Sequence, residues 1–251
     1  MSGSLKGRVA LVTGAGQRLG KAIAEGLGAL GADVAVHYCG SEAGAQDTCR
    51  TIQGLGQRAQ AFQADLTEPS APKKLVAEVE AALGPVDILI NSAARFDRMG
   101  FLETPAEILE LNWALTARAP FLLSQAVAPG MQAKGKGDIL NVLDVAGVLM
   151  PWKGYSAHGI TKAALAHLTE VLALELAPTI RVNAVAPGTV LPPEHLSSEA
   201  LEKLRQRIPL GRFGRPQDIV ETVGFLLTGP DFLTGQVIAV EGGRQLEHGF
   251  A

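Results

Sequence analysis

Short apolar runs alternate with helical patterns from one end of the chain to the other, and this alternation constrains the fold more than any other feature. Strands are predicted at Arg8 to Thr13, Asp33 to Tyr38, Ala59 to Gln63, Asp87 to Ile90, Asp138 to Leu143, Ile180 to Val185 and Val237 to Val240. Helical patterns cover Leu19 to Leu30, Glu42 to Leu55, Pro69 to Leu83, Pro105 to Ala133 with a bend near Pro120, Ser156 to Ala177, Glu194 to Gln206 and Pro216 to Leu227. Apolar runs bounded by turn residues and interleaved with amphipathic helices specify a parallel sheet covered on both faces. The expectation is an α/β fold, a doubly wound parallel sheet of about seven strands in one domain spanning residues 1–251, since no repeat, linker or low-complexity segment divides the chain. Gly188 to Arg207, with Pro192 and Pro193, is the best candidate for a mobile flap.

Composition removes several function classes. A formal net charge of -3 and 19% charged residues leave no basic excess for nucleic acid or acidic lipid, while 47% hydrophobic residues can bury a large core. Cys39 and Cys49, the only cysteines, fit neither a disulfide framework nor a metal-ligand spacing, so no metal site is expected and a reducing compartment suits the chain. The N-terminus lacks the apolar core of a secretory signal and no stretch is long and apolar enough to span a bilayer. A soluble, cytoplasmic protein acting on a small molecule is expected.

After the first strand the chain reads Thr13-Gly14-Ala15-Gly16-Gln17-Arg18-Leu19-Gly20. Glycines let backbone turn tightly and approach a pyrophosphate, and the helix that follows directs free N–H groups at the anion. Arg18, close to the N-terminus of that helix, is opposed by the dipole unless an anion joins it. The turn resembles the TGxxxGxG of short-chain dehydrogenases/reductases, and further pieces of that family follow in order: Asp65 in QADL, NSAA at Asn91 to Ala94, Asn112 in a long helix, Pro187-Gly188 after the sixth strand, and TGQVIAVEGG near the end. The resemblance implies a cofactor held by Gly14, Gln17, Leu19 and Gly20, with Asp65 and Leu66 bordering the adenine. It also implies Asn91 and Ala93 passing the ribose, and Pro187 and Gly188 flanking the nicotinamide. At the end of the second strand, where NAD-specific members carry an acid, this chain has Tyr38. No carboxylate guards that position, and Arg18 with His37 and Ser41 is available for a 2′-phosphate, so NADP(H) is the expected cofactor.

The chemical end departs from the family pattern. The resemblance implies Asn, Ser, Tyr and Lys; the chain keeps Asn112 and Lys162, but has Asp144 at the serine position and His158 four residues before the lysine. The Asp, the arginine in TGAGQRLG and the HY pair also resemble pteridine reductases, whose pterin stacks on an aromatic ring that Phe96 matches. A protonated Asp144, its proton affinity raised by desolvation and opposed by Lys162, is the expected donor to a ring nitrogen. As an imidazolium, His158 is a competent acid near neutral pH, although the lysine disfavours its charge. Tyr155 either lends a hydroxyl or packs at the helix entrance.

Three functions follow as alternatives: an NADP(H)-dependent reductase of a pterin-like planar carbonyl or imine, with Arg18, Phe96 and Asp144 facing substrate, Lys162 on the ribose and Asn112 fixing a relay water; a 3-oxoacyl or small-ketone reductase; and a catalytically lapsed NADP(H)-binding or sensor protein. A homotetramer is expected, because Pro105 to Ala133 and Ser156 to Ala177 carry more apolar side chains than one sheet face can bury, and the resemblance implies that these helices form a subunit interface.

Overall fold

A computed structural model describes residues 4–192 and 197–246. Seven strands form one sheet: β1 (Val9–Val12), β2 (Asp33–Tyr38), β3 (Ala59–Gln63), β4 (Ile88–Asn91), β5 (Gly137–Val142), β6 (Ile180–Pro187) and β7 (Val237–Val240). Their order is β3-β2-β1-β4-β5-β6-β7, and every pairing is parallel. The helices are α1 (Arg18–Ala29), α2 (Glu42–Gly54), α3 (Ala71–Leu83), α4 (Ala106–Trp113), α5 (Ala119–Lys134), α6 (Val145–Val148), α7 (Ser156–Glu175), α8 (Ser198–Gln206) and α9 (Pro216–Thr228). The predicted start of α8 at Glu194 falls outside the described residues.

Alternation along each strand sorts the core into two layers. Ala10, Val12, Val34, Val36, Ile88 and Ile90 pack with Ile23, Leu27, Ile52, Ile219 and Val223 on one face. Val9, Leu11, Leu89, Ile139 and Val182 pack with Leu75, Val79, Leu123, Val127 and Leu172 on the other. Both faces of the central strands are therefore buried, which is why these strands read as unbroken apolar runs. Far from the strand ends that build the cleft, buried Asp138 ties β1 to β6 through Arg8 and Arg181, each at 2.6 Å.

The bend expected near Pro120 is a π-type turn at Ala114–Arg118 between α4 and α5. Pro120 has no N–H for the carbonyl four residues back, so a regular α ladder cannot pass through this point. Two short pieces were not anticipated: α6 and a single 3-10 turn at Arg244–Leu246. Both are too brief to leave a periodic pattern. No helix among the described residues is long and apolar enough to cross a membrane.

Candidate active site

The strand order reverses direction at β1, whose neighbours β2 and β4 send their chains to opposite sides, and a crevice at such a point is where α/β sheets bind ligands. A cleft of about 570 Å³ opens here, walled by the β1–α1 turn, the end of β2, residues 64–67, the segment after β4, and the β5–α6 junction. Gly14, Gln17, Arg18, Leu19, Gly20, His37, Tyr38, Ser41, Asp65, Leu66, Ala93, Phe96, Asp144, His158 and Lys162 all line it.

Close backbone approach builds the turn. Gly14 has φ +65°, and a Cβ on it would sit 3.0 Å from Ala93 Cα; one on Gly20 would sit 2.3 Å from the Gly14 carbonyl oxygen. Gly44, in the first turn of α2, is equally tight, at 2.0 Å from the Gly16 carbonyl oxygen. Side chains at all three positions would lift the backbone that a pyrophosphate must approach, so the turn fits a dinucleotide. Thr13 joins the turn to β4: its hydroxyl accepts from the N–H groups of Ser92 at 2.9 Å and Ala93 at 3.0 Å. Arg18 has φ +51°, a left-handed conformation rare outside glycine, and its exposed guanidinium donates to the Leu191 carbonyl at 3.2 Å. Leu191, in the described part of the predicted flap, is thus tied to the turn.

His37 plays a different part from the one its position suggests. Its Nδ1 accepts from Gly14 N–H at 3.1 Å and its Nε2 contacts the Ala64 carbonyl at 3.0 Å. A carbonyl only accepts, so Nε2 carries the hydrogen and the ring is neutral. Burial pushes its pKa down to about 4. It braces the glycine turn and has no charge to offer a phosphate. Tyr38, also buried, packs in the core layer that contains Val34 and Val36. Asp65 accepts from the Thr67 hydroxyl at 2.7 Å and its N–H at 2.9 Å, which holds its pKa below the usual carboxylate range.

Three residues expected at the cofactor, Asn91, Pro187 and Gly188, are not among those lining this cleft. Asn91 pairs with Asn141 at 2.8 Å, and Asn141 donates to Thr169 at 2.9 Å, a chain directed from the sheet into α7. Ser92, Ala93 and Ala94 line the cleft while Asn91 does not. Pro187 and Gly188 close β6 against β7, with Gly188 N–H on the Val240 carbonyl at 3.0 Å, and they too are absent from the cleft lining.

At the chemical end, Asp144 caps α6, its Oδ1 accepting from Ala146 N–H at 2.8 Å. That leaves Oδ2 facing His158 Nε2 at 3.7 Å. His158 is 2% exposed and its Nδ1 lies 2.8 Å from the Arg95 carbonyl, which fixes the hydrogen on Nδ1. Nε2 has no hydrogen-bond partner in the protein. Lys162 donates to the Val142 carbonyl at 2.5 Å; burial pushes its pKa down to about 8, with the Asp144 charge opposing. Gly147 lets α6 reach α7, since a Cβ there would meet Lys162 Cβ at 2.5 Å.

Sequence reasoning missed Arg95 and Asp97. They form a two-pronged ion pair at 2.8 Å, and the same carboxylate accepts from Asn112 Nδ2 at 3.0 Å. The hydrogen bonds from Arg95 hold Asp97 below the usual carboxylate range. Asn112 is fully buried behind this pair and outside the cleft lining. An Arg and an Asp two apart in a loop carry no signal of such a role. Tyr155 also stands off the cleft wall, its ring 4.5 Å from Phe96. Phe96 meets the His158 ring edge-on at 4.8 Å.

A family model described as enoyl-(acyl carrier protein) reductase matches residues 14–245. The chain belongs to the short-chain dehydrogenase/reductase family. It is 31% identical to L-rhamnose 1-dehydrogenase (NAD(P)(+)) of Sphingomonas sp. (strain SKA58), over 95% of this chain and 96% of that protein. It is 36% identical to L-xylulose reductase of Bos taurus, over 95% and 97% of the two chains. Among solved structures it is similar to a blue fluorescent protein from a metagenomic library in complex with NADPH, with TM-score 0.87, 32% identity and coverage of 96% of this chain and 99% of the other. Enzymes of this family carry out nicotinamide-dependent oxidoreduction on small molecules, and the fold described above is theirs.

Proposed function

We propose that the protein is an NADP(H)-dependent reductase of a planar, pterin-like carbonyl or imine compound. The observation that carries this reading is the Phe96 ring, 48% exposed on the cleft wall and in edge contact with His158 beside Asp144. An exposed aromatic face next to proton-bearing groups suits a flat heterocycle.

In this reading Gly14, Gln17, Leu19 and Gly20 would cradle the pyrophosphate, Asp65 and Leu66 would border the adenine, and Ala93 and Lys162 would hold the nicotinamide ribose. Arg18 and Ser41 would receive the 2′-phosphate, with no carboxylate at Tyr38 to repel it. When bound, the reduced nicotinamide supplies a hydride. The chain supplies the proton from the Asp144–His158 end of the cleft and orients the substrate against Phe96. Lys162, anchored on Val142, sets the charge beside Asp144. Asn112 keeps a buried Oδ1 without a protein partner, the atom suited to a relay water. Exposed Trp113, Phe121 and Leu174 on α4, α5 and α7 support assembly as a homotetramer, and the free cysteines suit a cytoplasmic setting.

Reduction of a 3-oxoacyl thioester or small ketone is the second reading, favoured by the names of the family model and of L-xylulose reductase. Steady NADPH oxidation with dihydrobiopterin, with an oxoacyl thioester and with small ketones separates the two. Turnover of the pterin alone is expected; turnover of only the thioester or ketones overturns the first reading, and none with any of them favours a lapsed, cofactor-binding protein.

A further inference from the structure

Among the described residues, His158 carries the only buried imidazole nitrogen in the cleft wall that has no hydrogen-bond partner. Its surroundings determine what that nitrogen can do. The Arg95 carbonyl, 63 residues away in sequence, holds the hydrogen on Nδ1 at 2.8 Å. In a neutral ring Nε2 is then a bare lone pair, and the atom that faces it is Asp144 Oδ2 at 3.7 Å. Two acceptors confront each other across a gap too long for a hydrogen bond and too short to be indifferent. The second carboxylate oxygen is already engaged by Ala146 N–H, so Asp144 cannot turn away without uncapping α6.

The remaining charged and titratable groups bear on the ring from each element packed against it. From the segment after β4 come Asp97, which acts electrostatically on His158, and Arg95, whose guanidinium neutralises that carboxylate. From α7 comes Lys162, held on Val142, and from the residue that caps its N-terminus Tyr155, whose ring packs on Phe96 off the cleft wall. Neither of these two is placed to satisfy Nε2.

We infer that His158 and Asp144 act as a couple that binds one proton on Nε2, and that this Nε2–H is the acid that protonates the substrate, with Arg95 as the positioning residue that fixes the tautomer. The inference rests on the reductase reading above and assigns the proton of the Asp144–His158 end to His158, where the sequence pointed to Asp144. In the reduction, the substrate carbon accepts hydride and its electron pair from the reduced nicotinamide, which becomes oxidised. The Nε2–H bond breaks, its electron pair stays on nitrogen, and an O–H or N–H bond forms on the product. Solvent then returns a proton to Nε2. Asp144 remains a carboxylate throughout and stabilises the charged ring.

Long-range proton–nitrogen NMR of the full chain, with the His158 signals assigned by their loss in His158→Gln, tests the couple without turnover. At high pH the neutral ring should carry its hydrogen on Nδ1, Nε2 should gain a proton as pH falls, and Asp144→Asn should move that gain to lower pH. A neutral ring protonated on Nε2, or a titration that Asp144→Asn leaves in place, overturns the inference. In the kinetic arm, His158→Gln should lower turnover by about 100-fold or more while NADPH affinity stays within about threefold. Retained turnover in that folded, NADPH-binding variant overturns the inference, and the reductase reading survives. If the wild-type chain reduces no carbonyl or imine, the reductase reading fails and the proton-donor role with it, whereas the spectra still decide whether the couple exists.

Discussion

The cofactor end and the chemical end of the cleft differ in how completely the chain satisfies its own polar atoms. Around the β1–α1 turn, Thr13, His37 and Asp65 have their side-chain hydrogen bonds closed within the protein, and backbone contacts as tight as a hydrogen in place of a methyl hold the loop. At the α6–α7 end, buried His158 Nε2 and Asn112 Oδ1 lack partners, and so does Trp152 Nε1. Buried polar atoms without partners cost about 1–3 kcal/mol each; Asn91 Oδ1, Thr116 Oγ1, Arg118 Nε and Ser124 Oγ share this condition outside the α6–α7 end, but only His158 Nε2 belongs to a residue that lines the cleft. The contrast teaches that the first region is a closely packed cradle made of backbone, whereas the second is made of side chains whose polar atoms the chain itself leaves partly unsatisfied.

The sharpest way to break this comparison is to crowd the cradle. Gly44→Ala places a Cβ 2.0 Å from the Gly16 carbonyl oxygen and Gly20→Ala one 2.3 Å from the Gly14 carbonyl oxygen. Each should cost about 3 kcal/mol or more in urea-derived stability and abolish NADPH binding. Gly40→Ala, with nothing within 4 Å, is the control and should change little. Equal behaviour of the three would mean that the turn is not tightly packed.

Next in size is a pH effect at His37. Its folded pKa of about 4 lies below the 6.5 of an ordinary imidazole, so the unfolded chain binds the proton more readily. Its contribution is therefore fully present above pH 6.5 and is lost as pH falls toward 4, amounting to about 3 kcal/mol over that window. Urea midpoints in wild type should fall more steeply through this range than in His37→Gln. Parallel curves would show that His37 is not the neutral brace described here.

Arg18→Ala sharpens the comparison from the cofactor side. It should weaken NADPH by about 1.5–3 kcal/mol and leave NADH unchanged, as read by fluorescence titration. Equal loss for both cofactors would mean that Arg18 serves the turn and not a 2′-phosphate. The smallest effect belongs to Tyr155→Phe, which should leave turnover within about twofold because the ring stands off the cleft wall. A tenfold or greater loss, about 1.4 kcal/mol, would make Tyr155 the proton donor in place of His158.

The alternation of apolar runs and helices determined the seven parallel strands and eight of the nine α-helices among the described residues, α4 and α5 as one bent pattern, because strand burial and helix amphipathicity are local patterns that survive in one dimension. The glycine turn was legible for the same reason: its spacing and its place between β1 and α1 are sequence properties. What the tertiary structure alone decided is where each polar side chain points. Asn91 turns into the sheet because Asn141 lies opposite it in the β4–β5 register, and His37 is neutral because Gly14 and Ala64 converge on its two nitrogens. His158 stood out in the sequence as a departure from the family tyrosine, but its tautomer depends on the Arg95 carbonyl and its unmet nitrogen on the distance to Asp144. These are meetings between segments far apart in the chain, set by packing, and no local pattern encodes them.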